Sequence, residues 1–213
     1  MQAMKATWLS ASQKRVRTIL QVGLVLSLVL TGCTEKPARL PAEKFKSTDI
    51  TGAEFGKSFR LNDHHGKPRT LADFKGKVVV MFFGYTHCPD VCPTTMTDMA
   101  LALKKLGNDA TKVQVLFVTI DPARDTPALL AQYVPSFNPE FLGMYGDEAT
   151  TAQVAKEFHI YYQKQESKNS KQYAMDHTAG TYVYDQNGKL RLFMSYGQDA
   201  ETIAHDLRLL ITD

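Results

Sequence analysis

The chain reads as an α/β protein built on one mixed sheet with helices on both faces. Three observations predict this. Two continuous apolar runs, KVVVMFF (77–83) and VQVLFVTI (113–120), have the β-branched and aromatic content of strands buried on both faces. Segments with helical spacing of apolar residues follow them. The chain then closes with two strands around the turn dipeptide Asn187–Gly188 and a final helix, so strands and helices alternate instead of segregating.

In chain order, the first segment is an address. Lys14, Arg15 and Arg17 precede TILQVGLVLSLVL (18–30), an apolar run of 13 residues. A membrane-spanning helix needs about 20 apolar residues and a signal-peptide core about 7–15. The run ends in LTGC (30–33), which resembles the lipobox of bacterial lipoproteins. That resemblance implies cleavage before Cys33 and lipid attachment to its sulfur, with several acyl chains giving a stable anchor. Residues 1–32 are therefore expected to be a lipoprotein signal peptide and 33–49 a lipid-anchored tether rich in charge, with two prolines. The body, 50–213, would face the extracytoplasmic or periplasmic side of the cell envelope, where disulfides are allowed.

Composition excludes one class of partner. The formal charge is +3, but residues 1–32 hold Lys5, Lys14, Arg15, Arg17 and no acid. Without them the chain has 21 basic and 22 acidic residues, which gives no electrostatic case for binding nucleic acid. A chain that is 44% hydrophobic and 22% charged supports one sizeable core.

Within the body, EFGKSFRLNDHHGKPRTLADFKGK (54–77) reads as two short extended pieces around a turn at Asn62 to Gly66. After the first buried strand comes GYTHCPDVCPTTM (84–96), with three residues between Cys88 and Cys92. From Pro93 to about Leu106, Met96, Met99, Ala100, Leu103 and Leu106 recur with helical spacing, and Pro93 suits a first helical position. The second buried strand leads to DTPALLAQYV (125–134), a helix whose start is Asp125 and Thr126 before Pro127. EATTAQVAKEFH (148–159) is a further helix, and 165–172 read as a polar loop. The Asn187–Gly188 hairpin follows, and Asp199 caps the last helix.

Both cysteines lie where a central strand ends and a helix begins, the edge at which open α/β sheets place ligands. A helix N-terminus favours thiolate, which is both a nucleophile and a metal ligand. Position alone leaves a redox pair and a metal site open. Side chains at i and i+4 on a helix have Cβ atoms about 5–6 Å apart, whereas a relaxed disulfide wants about 3.5–4.5 Å. Two sulfurs on one ion sit roughly 4 Å apart with more angular freedom. The spacing leans towards a metal without forbidding a disulfide. Two thiolates suit copper(I), and copper(II) calls for a further ligand such as imidazole. Zinc wants four ligands, and only three good ones are found.

Of six histidines, His177 in YAMDHTAGTYVYD stands at the mouth of an expected strand, where it could reach the helix start. Pattern alone leaves it between a ligand and an ordinary loop histidine. His87 adjoins Cys88, but neighbours on a tight turn often point apart. His64 and His65 are expected to face water, and His159 and His205 to be structural. Asp98 is expected on a solvated helix face and Tyr85 in packing. In DPARDTP (121–127), Arg124 could partner a carboxylate that shapes the loop.

Three separated stretches, GKVVVMFFGYTHCPDVCPTTM, FVTIDPARDTPALLAQY and YAMDHTAGTYVYD, resemble in order the signatures of the Sco family, also called SenC or PrrC, over about residues 50–212. The resemblance implies a thioredoxin-like fold with an inserted β-hairpin and an N-terminal extension. It implies copper, as copper(I) or copper(II), held by Cys88, Cys92 and His177. The implied role is assembly of the dicopper CuA centre in subunit II of cytochrome c oxidase, by copper delivery or by reduction of the target cysteines. Thr178 stands where the family usually has serine.

A thiol–disulfide reductase is the rival reading and needs only the two cysteines. A peroxide-reducing enzyme fits poorly: such enzymes place threonine or serine three residues before the reactive cysteine, and here Tyr85 and Pro89 hold those positions.

Overall fold

A computed structural model of the chain describes residues 44–166 and 173–213. The leader, Cys33 and most of the tether lie outside the described residues, as does 167–172.

The two apolar runs form β4 (Val78–Gly84) and β5 (Val113–Thr119), and every residue of both is buried. They pair in parallel from Val78↔Val113 to Gly84↔Thr119. On the other side β4 pairs antiparallel with β9 (Gly180–Tyr184), with Val80 opposite Val183. Burial along whole strands requires cover on both faces. Each large apolar side chain there, such as Phe82, Phe83 or Phe117, contributes roughly 1.5–3 kcal/mol by leaving water.

The sheet is completed by β1 (Thr48–Asp49), β2 (Arg60–Asp63), β3 (Pro68–Thr70), β6 (Leu142–Tyr145) and β10 (Leu190–Ser195), in the order β1-β10-β9-β4-β5-β6-β2-β3. The helices are α1 (Val91–Leu106), α2 (Pro127–Tyr133), α3 (Glu148–Glu157) and α4 (Ala200–Thr212). Helices α1 and α4 pack together and α4 touches β4, while α2 packs on β6 and α3 on β2. A separate two-stranded sheet, β7 (Tyr162–Glu166) with β8 (Tyr173–His177), is the inserted hairpin. The fold is thus a thioredoxin-like mixed sheet with helices.

Two turns use one local solution. In Asp63-His-His-Gly-Lys-Pro-Arg69, Asp63 Oδ1 accepts from the amides of His65 and Lys67 at 3.0 Å, and Arg69 Nε donates to Oδ2 at 2.7 Å. In Asp185-Gln-Asn-Gly-Lys-Leu-Arg191, Asp185 accepts from the amides of Asn187 and Lys189 at 2.9 Å, with Arg191 beside it. Gly66 and Gly188 supply φ of 82° and 75°, which side-chain-bearing residues adopt at a cost.

Several expectations differ from the structure. Helix α1 begins at Val91, so Pro93 is its third residue; its missing N–H is harmless anywhere in the first turn. Thr126, not Asp125, caps α2 by accepting from the Leu129 amide. His64 does not face water: it is buried, and its Nδ1 accepts from the Gly143 amide at 2.9 Å. Gly143 belongs to β6, four residues long, which runs inside the sheet between β5 and β2. The segment read as the end of the tether is held by the domain: Asp206 on α4 accepts from the amides of Lys46 and Ser47 at 2.8 Å, and β1 pairs with β10. Residues 165 and 166, read as loop, extend β7.

Candidate metal centre

Strand β4 delivers the chain to its end at Gly84. A Cβ there would lie 2.9 Å from Cys92 Sγ and 2.8 Å from Phe82. Only glycine lets the second sulfur lie against the strand, so Gly84 is part of the site. Cys92 is buried and Cys88 half-buried, and both are free thiols.

The first turn of α1 has no side-chain oxygen as its cap. Instead the Cys92 amide donates to Cys88 Sγ at 3.4 Å. An orphan N–H at the positive end of a helix therefore points at sulfur, which favours thiolate. The Cys92 thiol, hydrogen-bonding to Cys88, is the largest influence on it. With the amides of Asp90 and Cys92 and the nearby His177, it outweighs burial and brings the Cys88 thiol down to about 5. Cys92 moves the opposite way, pushed up by the same Cys88 interaction and by burial. The two shifts are opposite, so negative charge is favoured on Cys88 over Cys92.

His177 ends β8 and brings Nε2 to 3.9 Å from Cys92 Sγ. Its Nδ1 lies 3.0 Å from the Thr178 carbonyl oxygen. A carbonyl only accepts, so Nδ1 carries a proton, and Nε2 is the ring nitrogen turned towards the sulfur. Metal-binding histidines are oriented by this kind of bond. The 3.9 Å separation fits two donors sharing one ion, since a ligand nitrogen at about 2.0 Å and a sulfur at about 2.3 Å sit roughly 4 Å or less apart. Among the described residues, no three side chains stand already gathered as a cluster around an ion. Two sulfurs and an imidazole are a donor set that fits copper.

The other candidates fall away from the sulfurs. His87 is half-exposed and its Nδ1 turns to Thr86 Oγ1 at 3.0 Å. The Thr86 hydroxyl proton goes to Asp125 Oδ1 at 2.6 Å. Asp98 is part-buried, and burial with the charge of Asp199 raises its carboxyl. Tyr85 is more than packing. Its hydroxyl interacts with the Met175 backbone and the Cys88 side chain, and its ring stands edge-on to His177 with centroids 6.0 Å apart.

The DPARDTP loop supplies the supports that the sequence reading placed only loosely. Asp125, 1% exposed, accepts from the Thr86 amide at 3.0 Å and from the hydroxyls of Thr86 and Thr119 at 2.6 Å. Arg124 donates through Nε to Asp121 Oδ2 at 2.5 Å and through Nη1 to the Tyr173 carbonyl at 2.8 Å. Its Nη2 is buried without a partner among the described residues, a cost of about 1–3 kcal/mol. The sequence signal for these roles was two aspartates and an arginine packed between prolines directly after a buried strand.

Fold and side chains together define a thioredoxin-like domain with a candidate site of two cysteines and one histidine at the strand ends. The family model described as SCO1/SenC matches residues 47–212, and the chain belongs to that family. It is 36% identical over 152 residues to the mitochondrial protein SCO2 homolog of Bos taurus, covering 70% of this chain and 57% of that one. The chain spans 57–60% of the length of the mammalian relatives it matches. The copper-bound structure of Bradyrhizobium japonicum ScoI is similar, with 41% identity, a TM-score of 0.67 and coverage of 72% of this chain and 98% of that one. So is apo Sco1 from Thermus thermophilus, with 36% identity, a TM-score of 0.71 and coverage of 80% and 99%. Among the described residues no helix is long and apolar enough to cross a membrane.

Proposed function

We propose that the chain is a copper metallochaperone that binds one copper through Cys88, Cys92 and His177 and passes it on during assembly of the CuA centre of cytochrome c oxidase. The single observation that carries this reading is Nε2 of His177, held 3.9 Å from Cys92 Sγ while Nδ1 bonds the Thr178 carbonyl. The copper held by the Bradyrhizobium relative supports it. Two soft thiolates favour copper(I), and the imidazole makes copper(II) tenable. A site of three protein donors leaves a coordination position through which an acceptor, subunit II or another copper protein, can take the ion. Lipid on Cys33 would hold the domain at the membrane on its extracytoplasmic side; an unmodified Met1 terminus in membrane-fraction mass spectrometry would refute the anchor.

The test is copper binding by the purified, reduced protein. It should bind one copper, and Cys88→Ala, Cys92→Ala and His177→Ala should each weaken retention against a chelator. Full-strength binding by all three variants would end the reading. In a deletion strain, recovery of oxidase activity on adding copper supports delivery.

A second reading, a thiol–disulfide reductase, is favoured by the opposed shifts of the two cysteines. The Cys88 thiolate attacks a target disulfide sulfur and forms a mixed disulfide, releasing the other target sulfur as thiolate. Cys92, on losing its proton, displaces the second sulfur, which leaves with the electron pair. The target is reduced and a Cys88–Cys92 disulfide remains for an external thiol reductant to restore. His177→Ala should spare this activity while spoiling copper retention.

A further inference from the structure

We infer that Arg124 is a positioning residue for the third ligand, acting at a distance through Tyr173; the inference rests on the reading of His177 as a copper ligand. Strand β8 alternates, with Tyr173, Met175 and His177 on one face. Met175 is buried, whereas Ala174 and Asp176 on the other face are exposed. No ladder of the eight-stranded sheet fixes this strand, since its pairing is with β7. Its His177 end runs on within three residues into β9, whereas its other end is held to the domain by side-chain contacts.

Those contacts gather at Tyr173, the far end of the strand from His177. The Tyr173 hydroxyl donates to Asp121 Oδ1 at 2.7 Å. Arg124 donates to the Tyr173 carbonyl, and its guanidinium carbon lies 3.5 Å from the ring centroid. Asp121 in turn fixes the guanidinium through Nε. The ring is thus held by its hydroxyl, its face and its own backbone. A planar fork that stacks and donates at once is a task for arginine, not lysine.

Asp121 and Arg124 share their loop with Asp125, which ties down Thr86 two residues before Cys88. A single loop therefore grips both halves of the site. Arg124 touches neither sulfur nor imidazole; it sets the register between them. The backbone of Met175 and the ring of His177 then meet Tyr85.

Two measurements on the intact protein test this with Arg124→Ala and, should that variant fold poorly, Tyr173→Leu. In the metal-free state, the nuclear Overhauser contact between the Tyr85 and His177 rings should disappear in both variants, and Arg124→Lys should not restore it fully. Retention of copper(I) against a competing chelator should fall about tenfold in either variant, with no further fall when the same change is made in His177→Ala, because residues acting as one unit are non-additive. An unchanged ring contact, or losses that add on the His177→Ala background, would overturn the inference. If His177→Ala alone retains copper normally, the copper reading has failed, and the metal-free ring contact still decides whether Arg124 places the hairpin.

Discussion

The cysteine loop and the histidine hairpin face each other across the candidate site and are built on opposite principles. The loop leaves a strand paired on both sides, is held by the Gly84 carbonyl accepting from the Ile120 amide at 2.9 Å, and is tied to a buried carboxylate. The hairpin has two strands, mostly exposed residues on β7, and a few side-chain ties to the domain. Isolated two-stranded hairpins are marginal in water. A firm pair of sulfurs therefore faces a more loosely moored imidazole.

The comparison breaks most visibly in hydrogen exchange. Amides of β4 and β5 should exchange only through global opening, which for a domain lies around 5–15 kcal/mol. Those of β7 and β8 should exchange through local opening at far lower free energy. Equal protection of both would erase the distinction.

Next in size is Asp125→Ala. It strands three donors, the part-buried amide and hydroxyl of Thr86 and the buried hydroxyl of Thr119, and should cost about 3 kcal/mol in chemical denaturation. An unchanged midpoint would show that the loop does not depend on this carboxylate. Gly84→Ala should cost about 1–3 kcal/mol by overpacking, and it should weaken copper retention as well, because the new methyl meets Cys92 Sγ. On the hairpin side, Thr178→Val removes the hydroxyl that accepts from the Tyr161 amide at 3.2 Å. The loss should be no more than about 1 kcal/mol, with Thr178→Ser restoring it.

The comparison also extends to pH dependence. Cys88 is brought down to about 5, so its thiolate contributes stability that is complete above the ordinary thiol range and is lost as pH falls through about 5. Cys92 is raised, so above the ordinary thiol range the unfolded chain ionises first and stability falls. Thermal melts should rise gently from pH 5 towards 8 and decline beyond 9. Cys88→Ser should flatten the acid limb; an unaltered acid limb would mean that other groups govern it.

Much of this was legible from residues near one another. The strand runs announced β4 and β5, Asn187–Gly188 announced its hairpin, and the cysteines announced a strand–helix junction. Strand β6 escaped because LGMY is too short to show a period, and β7 because YQKQE is exposed and alternates nothing. Arg124 was foreseen as a partner for some carboxylate, but its grip on Tyr173 spans 49 residues and has no local signature. His64 was misjudged because its acceptor role depends on Gly143, 79 residues away.

The sequence alone determined which segments are apolar enough to be central strands, and which strand end carries two sulfurs, because periodicity and helix-end chemistry act over a few residues. Only the tertiary structure decided that His177 lies beside Cys92, 85 residues earlier, and that the DPARDTP loop moors both halves. Those contacts follow from how a polar hairpin closes over the sheet, and that geometry is set by pairings between distant residues that leave no pattern along the chain.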